Sequence, residues 1–123
     1  MKKLFAFLTL LMLMLVMTAC ATHASRENVD IARQALEIVD EFLFRPRPDP
    51  DATYRRIAAL PSINIASTGN TRQDEANRAL RSYISSLQSA IQTTRHIYSA
   101  ETRQPVLIAR NQIASEIGVR TRR

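Results

Sequence analysis

The sequence predicts an all-α fold, a small bundle of three main helices plus a short helix. Three observations carry this. Apolar residues recur at three- and four-residue steps along three stretches, which gives each helix one buried face. No stretch alternates apolar and polar with a period of two, as half-buried strands do. Prolines and glycines fall mostly between the periodic stretches, where the chain reverses. With two glycines in 123 residues and no long low-complexity run, the composition is not that of a disordered chain.

The first element is an export signal. Met1-Lys2-Lys3 is a positive n-region, and Leu4 to Met17 is an apolar run interrupted only by Thr9. Such a run suits a signal peptide and is short for a membrane-spanning helix, which needs about 18 or more apolar residues. The small residues Thr18 and Ala19 then precede Cys20, the single cysteine of the chain. A lone thiol in an exported protein has no disulfide partner within its own chain.

Met17-Thr18-Ala19-Cys20 resembles the lipobox of bacterial lipoproteins, with Met17 where Leu is usual. The resemblance implies cleavage just before Cys20 and a diacylglyceryl group on its thiol. In many members the new amino terminus is acylated as well. The helical bundle would then follow a cleaved signal peptide: 1–19 the signal, 20–24 a lipidated tether, 25–119 the helical domain and 120–123 a basic tail. Each buried methylene contributes roughly 0.8 kcal/mol, so two or three chains hold firmly where one gives marginal binding. Ala21 stands where Asp would signal inner-membrane retention in enteric-type bacteria. Its absence resembles a lipoprotein of the outer membrane, on the periplasmic face. Two other readings of the segment stay open: an ordinary secretion signal cleaved after Ala19 or Ala24, and an uncleaved inner-membrane anchor.

The tether from Ala21 to Ala24 reaches only about 13 Å when extended. Ser25 is placed to cap a first helix running to about Phe44. Val29, Ala32, Leu36, Val39 and Leu43 form one apolar stripe, and Ile31, Ala35, Ile38 and Phe42 an adjacent one. Together they span about half of the helix surface, wide enough to meet two neighbours. Arg33, Glu37, Asp40 and Glu41 are expected on the solvated side. Arg45-Pro46-Arg47-Pro48-Asp49-Pro50 ends the helix, because alternating prolines remove donors and favour an extended backbone. The segment reads as a rigid linker or as a ligand for an aromatic groove.

Asp51 is then expected to cap a short helix through Leu60, with Tyr54, Ile57 and Ala58 inward and Leu60 a further candidate. Pro61 stops it. Ser62 to Asn70 is a loop tacked to the core by Ile63 and Ile65. Thr71 and Asp74 resemble a capping box opening the longest helix, about Arg72 to Ala100 and roughly 40 Å long. Leu80, Ile84, Leu87, Ile91, Thr94 and Tyr98 form its stripe, flanked by Ala76, Ala79, Tyr83, Ala90 and Ile97. It should pack on the first helix, burying Leu36, Val39, Ile84, Leu87 and Ile91. A break at Glu101 to Gln104 would precede a last helix, Pro105 to Ile117, burying Val106, Ala109, Ile113 and Ile117. Gly118 suits its C-cap. The alternative is one long helix kinked near Pro105.

The chemistry-bearing residues are sparse. His23 and His96 have no companions at metal-ligand spacing, so no metal or other cofactor is expected. Glu37, Asp40 and Glu41 read as a solvated acidic face. Ser82, Ser85, Ser86 and Ser89 have no adjacent base to make a nucleophile, and no glycine-rich phosphate loop is present. No catalytic residues are assigned, and the expectation is a protein that is not an enzyme.

The formal charge is +6 with a pI of about 10.4, and beyond Lys3 every basic residue is arginine. Arginine pairs bidentately with phosphate and carboxylate groups, though the all-arginine set also fits a GC-rich genome. Arg55, Arg56, Arg78 and Arg81 form a candidate patch for an anionic partner. An exported protein meets little nucleic acid, so none is expected as a partner. Anionic headgroups or an acidic protein fit better.

The expected role is a lipid-anchored interaction module or assembly accessory of the cell envelope, with a membrane contact through Cys20 and a protein partner. In size, helicity and anchor the chain resembles the secretion pilotins, small lipoproteins that carry subunits to the outer membrane. A plasmid- or phage-encoded exclusion or immunity lipoprotein is the alternative. A small-ligand binder or enzyme has the least support.

Overall fold

A computed structural model describes residues 23–119; the expected signal segment, with Cys20, and Arg120 to Arg123 lie outside the described residues. Within 23–119 the chain forms four helices and no strand: α1 (Arg26–Phe44), α2 (Pro50–Ala58), α3 (Thr71–His96) and α4 (Ala100–Glu116). The bundle of three main helices and a short one is therefore the fold of residues 23–119.

α1 buries Val29, Ala32, Ala35, Leu36, Ile38, Val39, Phe42 and Leu43, the two stripes read from its spacing except for Ile31, which is half-buried. Ser25 holds the N-cap position, but its side chain makes no capping bond to α1. It turns instead to α3. The Ser25 N–H donates to Asn77 Oδ1 and Asn77 Nδ2 donates to Ser25 Oγ, both at 2.9 Å. Asn77 is buried, so this paired contact fixes the start of α1 against α3 and satisfies an amide that would otherwise be costly to bury. α1 ends where Arg45 turns extended ahead of Pro46.

The short helix starts earlier than expected. Asp49, not Asp51, is its cap, accepting from the Ala52 N–H at 3.0 Å, and Pro50 takes the first helical position. That position tolerates proline because its N–H has no intrahelical partner. Thr53 and Ile57 face the core, Tyr54 and Leu60 are half-buried, and Ala58 is exposed.

In the following loop Ile63 is buried and Ile65 is exposed. The loop is fixed mainly by a polar clamp. Asn28 Nδ2 donates to the Asn64 carbonyl at 2.8 Å, and the Asn64 N–H donates back to Asn28 Oδ1 at 3.0 Å. A buried side-chain amide here mimics the paired donor and acceptor of a neighbouring strand.

α3 is capped by Asn70, which accepts from the Gln73 N–H, so the Thr71 box does not form. Asp74 serves the loop instead, accepting from the Thr68 N–H and hydroxyl, both at 2.8 Å. α3 stops at His96, and the break falls at Ile97 to Ser99 rather than at Glu101 to Gln104. Ser99 and Thr102 form a reciprocal capping box that starts α4 at Ala100. Pro105 therefore lies inside α4 as its sixth residue, and neither the Pro105 start nor the kinked continuous helix holds. Proline there removes one bond to the Glu101 carbonyl, in a turn that is exposed to water. α4 ends in a Schellman motif. Gly118 takes φ 75°, its N–H reaches the Ser115 carbonyl, and the Val119 N–H reaches that of Ala114.

The core is built from Phe42, Val39, Leu80, Leu87, Ile91, Val106 and Ile113. Leu36, Val39, Leu87 and Ile91 are buried as expected, whereas Ile84 is half-buried. α3 touches α1, but its main partner is α4. A three-residue link forces α4 to run back along α3 as an antiparallel hairpin. α1 packs across this hairpin and also meets α2.

The bundle consequently has two distinct ends. Residue 25 is fixed beside Asn77, near the start of α3, and α4 finishes at that same end. The end of α1, the 45–49 linker, the α3–α4 turn and the start of α4 lie at the opposite end. A 19-residue helix separates the two by about 28 Å.

Candidate functional site

Four of the described arginines, Arg45, Arg56, Arg95 and Arg110, are paired with carboxylates. Arg110 is the largest fully buried side chain and lies 2% exposed on α4. Its Nε and Nη2 donate to Asp40 Oδ1 and Oδ2 at 2.8 and 3.2 Å, and its Nη1 donates to Asn111 Oδ1. Arg95 Nε donates to Asp51 at 2.7 Å, and its guanidinium lies 4.5 Å from the Tyr54 ring centre, tying α3 to α2. Arg56 binds Glu41, which Arg45 also approaches at 3.7 Å. The bond from Arg56, and next its charge with that of Arg45, hold the Glu41 carboxyl below its ordinary value of 4.5. The acidic face of α1 is thus largely occupied: Asp40 and Glu41 are ion-pair partners, and Glu37 remains exposed.

The four candidate arginines fall into different surroundings. Arg81 lines a groove of about 200 Å³ with Ile57, Pro61, Ser62, Ile84 and Gln88. Arg56 lines another groove with Arg45, Arg47 and Asp49. Arg55 and Arg78 are exposed. Cys20 lies outside the described residues. Among the described residues no group of three or more His, Cys, Asp or Glu can hold a metal ion, and no helix is long and apolar enough to cross a membrane. Ser82, Ser85, Ser86 and Ser89 are exposed on α3.

The feature that the sequence reading missed lies at the end of the bundle remote from residue 25. Phe44, Ile97 and Tyr98 are 45%, 65% and 48% exposed there. Tyr98 meets Phe42 edge-on at 5.9 Å, which anchors the turn while leaving much of the ring open. Beside them runs a groove of about 540 Å³, lined by Leu43, Phe44, Ala100, Glu101, Arg103, Gln104 and Leu107. One turn along α4 from Gln104, Ile108 is 57% exposed and extends the apolar surface. Spacing assigned Tyr98 to the apolar stripe, and Ile97 to the flank, of a helix that continued to Ala100. Ending that helix at His96 puts them at the tip.

The cause of this surface is the placement of the break. A turn of three residues between two long helices has too few neighbours to cover Ile97 and Tyr98. Large apolar side chains gathered at one exposed place are unusual in a monomer and mark interaction surfaces. No family model, no curated protein and no solved structure matches the chain.

Proposed function

We propose that this chain is a non-enzymatic, lipid-anchored protein of the bacterial cell envelope that acts as an interaction module or assembly accessory. The observation that carries the reading is Met17-Thr18-Ala19-Cys20 directly behind a positive n-region and an apolar h-region. Lipid on Cys20 would hold the residue-25 end of the bundle within a few residues of the headgroups. The apolar tip would then point away from the membrane that carries the anchor. A single small helical domain with its open apolar surface opposite its anchor suits the capture of a protein partner. Ala21 favours the outer membrane and its periplasmic face as the location.

Two measurements test the reading. Cells expressing the full chain are labelled with a palmitate analogue, with Cys20→Ala alongside. Label on the wild type and none on the variant is expected, and equal labelling would sink the anchor. A photoreactive residue is then placed at Ile97 or at Gln34, an exposed position on α1. A discrete crosslinked band from position 97 and none from position 34 is expected. Equal patterns from the two positions would remove the tip as the interaction surface.

A further inference from the structure

We propose that the groove between the end of α1 and the start of α4 recognises an apolar polypeptide carboxyl terminus, with Arg103 taking the terminal carboxylate. The inference rests on the interaction-module reading and names the chemistry of the partner.

Arg103 carries the positive charge of the groove. Its side chain is half-buried and lines the groove. Its Nη2 donates to the Leu43 carbonyl, one of the last carbonyls of α1, and its Nε is buried with no hydrogen-bond partner. No carboxylate of the described residues pairs with it. Arg45, Arg56, Arg95 and Arg110 all have such a partner. A half-buried guanidinium without a counter-charge is the arrangement a carboxylate ligand completes; with Nε buried, the donors for it are Nη1 and the second hydrogen of Nη2, which lie side by side at the end of the guanidinium. Glu101 stands at the same groove but is exposed, so water screens its repulsion more than it weakens the half-buried charge. The positive end of the α4 dipole, at Ala100, adds in the same direction as Arg103.

The remaining lining sets the rest of the ligand. Leu43, Phe44, Ala100 and Leu107 offer apolar contact around Arg103. The volume is within the range of ligand pockets. The apolar surface also runs past the groove, to Ile97 and Tyr98 on one side and Ile108 on the other. A free fatty acid filling the groove would leave that surface in water, whereas a chain terminus continues across it. The groove is also about 28 Å from the residue-25 end, beyond the reach of headgroups in the anchoring leaflet.

The full chain is held in lipid nanodiscs, so that no detergent competes for the groove. It is titrated with an array of hexapeptides whose last two residues are drawn from Leu, Ile, Val and Phe. Each peptide is made as the free acid and as the C-terminal amide, and decanoate is run beside them. Free acids should bind and their amides should bind about tenfold more weakly. Arg103→Gln should remove that difference, and Phe44→Ala should weaken acids and amides alike. Because Arg103→Gln also loses the bond to Leu43, Arg103→Lys and the melting temperature of each variant accompany it. The lysine variant keeps the charge and should retain part of the preference. Decanoate binding as tightly as the best peptide would overturn the polypeptide terminus in favour of a free amphiphile. Acids and amides binding equally to the wild type would overturn carboxylate recognition while leaving the interaction surface standing. Binding no stronger than to empty nanodiscs across the array would overturn the proposal outright, and the crosslink at position 97 would then decide the broader reading separately.

Discussion

Removing the carboxylate of Asp40 should destabilise this protein more than removing any other acidic side chain of α1. Asp40 is four-fifths of the way along a helix face that its sequence marks as solvated, yet it accepts two bonds from a guanidinium that is 2% exposed. Asp40→Ala leaves that charge in the core without its carboxylate. Breaking a buried pair in this way costs about 3–5 kcal/mol. The Asp40 side chain is 27% exposed, so water offsets part of the loss and about 2–4 kcal/mol is expected. A domain of this size has about 5–15 kcal/mol in all, and each kcal/mol moves its melting temperature by about 4–8 °C. Thermal denaturation followed by circular dichroism should show a fall of more than about 10 °C. Glu37→Ala, one turn earlier and exposed, should shift it by no more than a few degrees. Replacing both partners, Asp40→Leu with Arg110→Met, should return to within about 1 kcal/mol of the wild type, because no buried charge remains. If Asp40→Ala melts with Glu37→Ala, the pair is not carrying the burial of Arg110 and the reasoning fails.

Three further outcomes follow from the same packing. Leu87→Ala, in a fully buried position, should cost about 2–5 kcal/mol, whereas Gln92→Ala, whose side chain only accepts from Arg95 on the same helix, should cost less than about 0.5 kcal/mol; urea denaturation compares them. Asn28→Ala removes both bonds that hold Asn64, so limited proteolysis should cut within residues 62–70 much sooner than in the wild type, and an unchanged rate would show that Ile63 alone retains the loop. The Thr68 N–H, and next its hydroxyl, hold the Asp74 carboxyl below its ordinary value of 3.8. A lowered folded pKa contributes stability that is fully present above 3.8 and lost as pH falls through the folded value, so Asp74→Asn should flatten the decline of melting temperature below about pH 4 and leave the rest of the pH profile parallel.

The helices themselves were legible in the order of residues. Three- and four-residue apolar spacing identifies most of the buried stripes of α1, the inward Ala76, Leu80, Leu87, Ala90, Ile91 and Thr94 of α3, and Val106, Ala109 and Ile113 of α4 with Ile117 at its C-cap. These follow from local periodicity, because a helix presents one face and that face must leave water. Proline and glycine marked the linker after α1 and the Schellman end of α4. Helix starts were less legible. Asp49 rather than Asp51, Asn70 rather than Thr71 and Ser99 rather than the 101–104 break all act as caps. Each competing residue has cap chemistry too, and what decides is which side chain meets a free N–H once the backbone has turned.

Sequence by itself therefore determined the number of the helices and most of their buried faces, since both depend on short-range pattern. Tertiary structure alone decided the roles of the polar residues. Asn28, Asn77 and Arg110 look like ordinary surface positions in the chain, but each is buried because a partner 36, 52 or 70 residues away satisfies it. No local pattern encodes such a distance. The same holds for the apolar tip. Phe44, Ile97, Tyr98 and Leu107 come together only because α3 ends at His96 and the hairpin brings the start of α4 beside the end of α1.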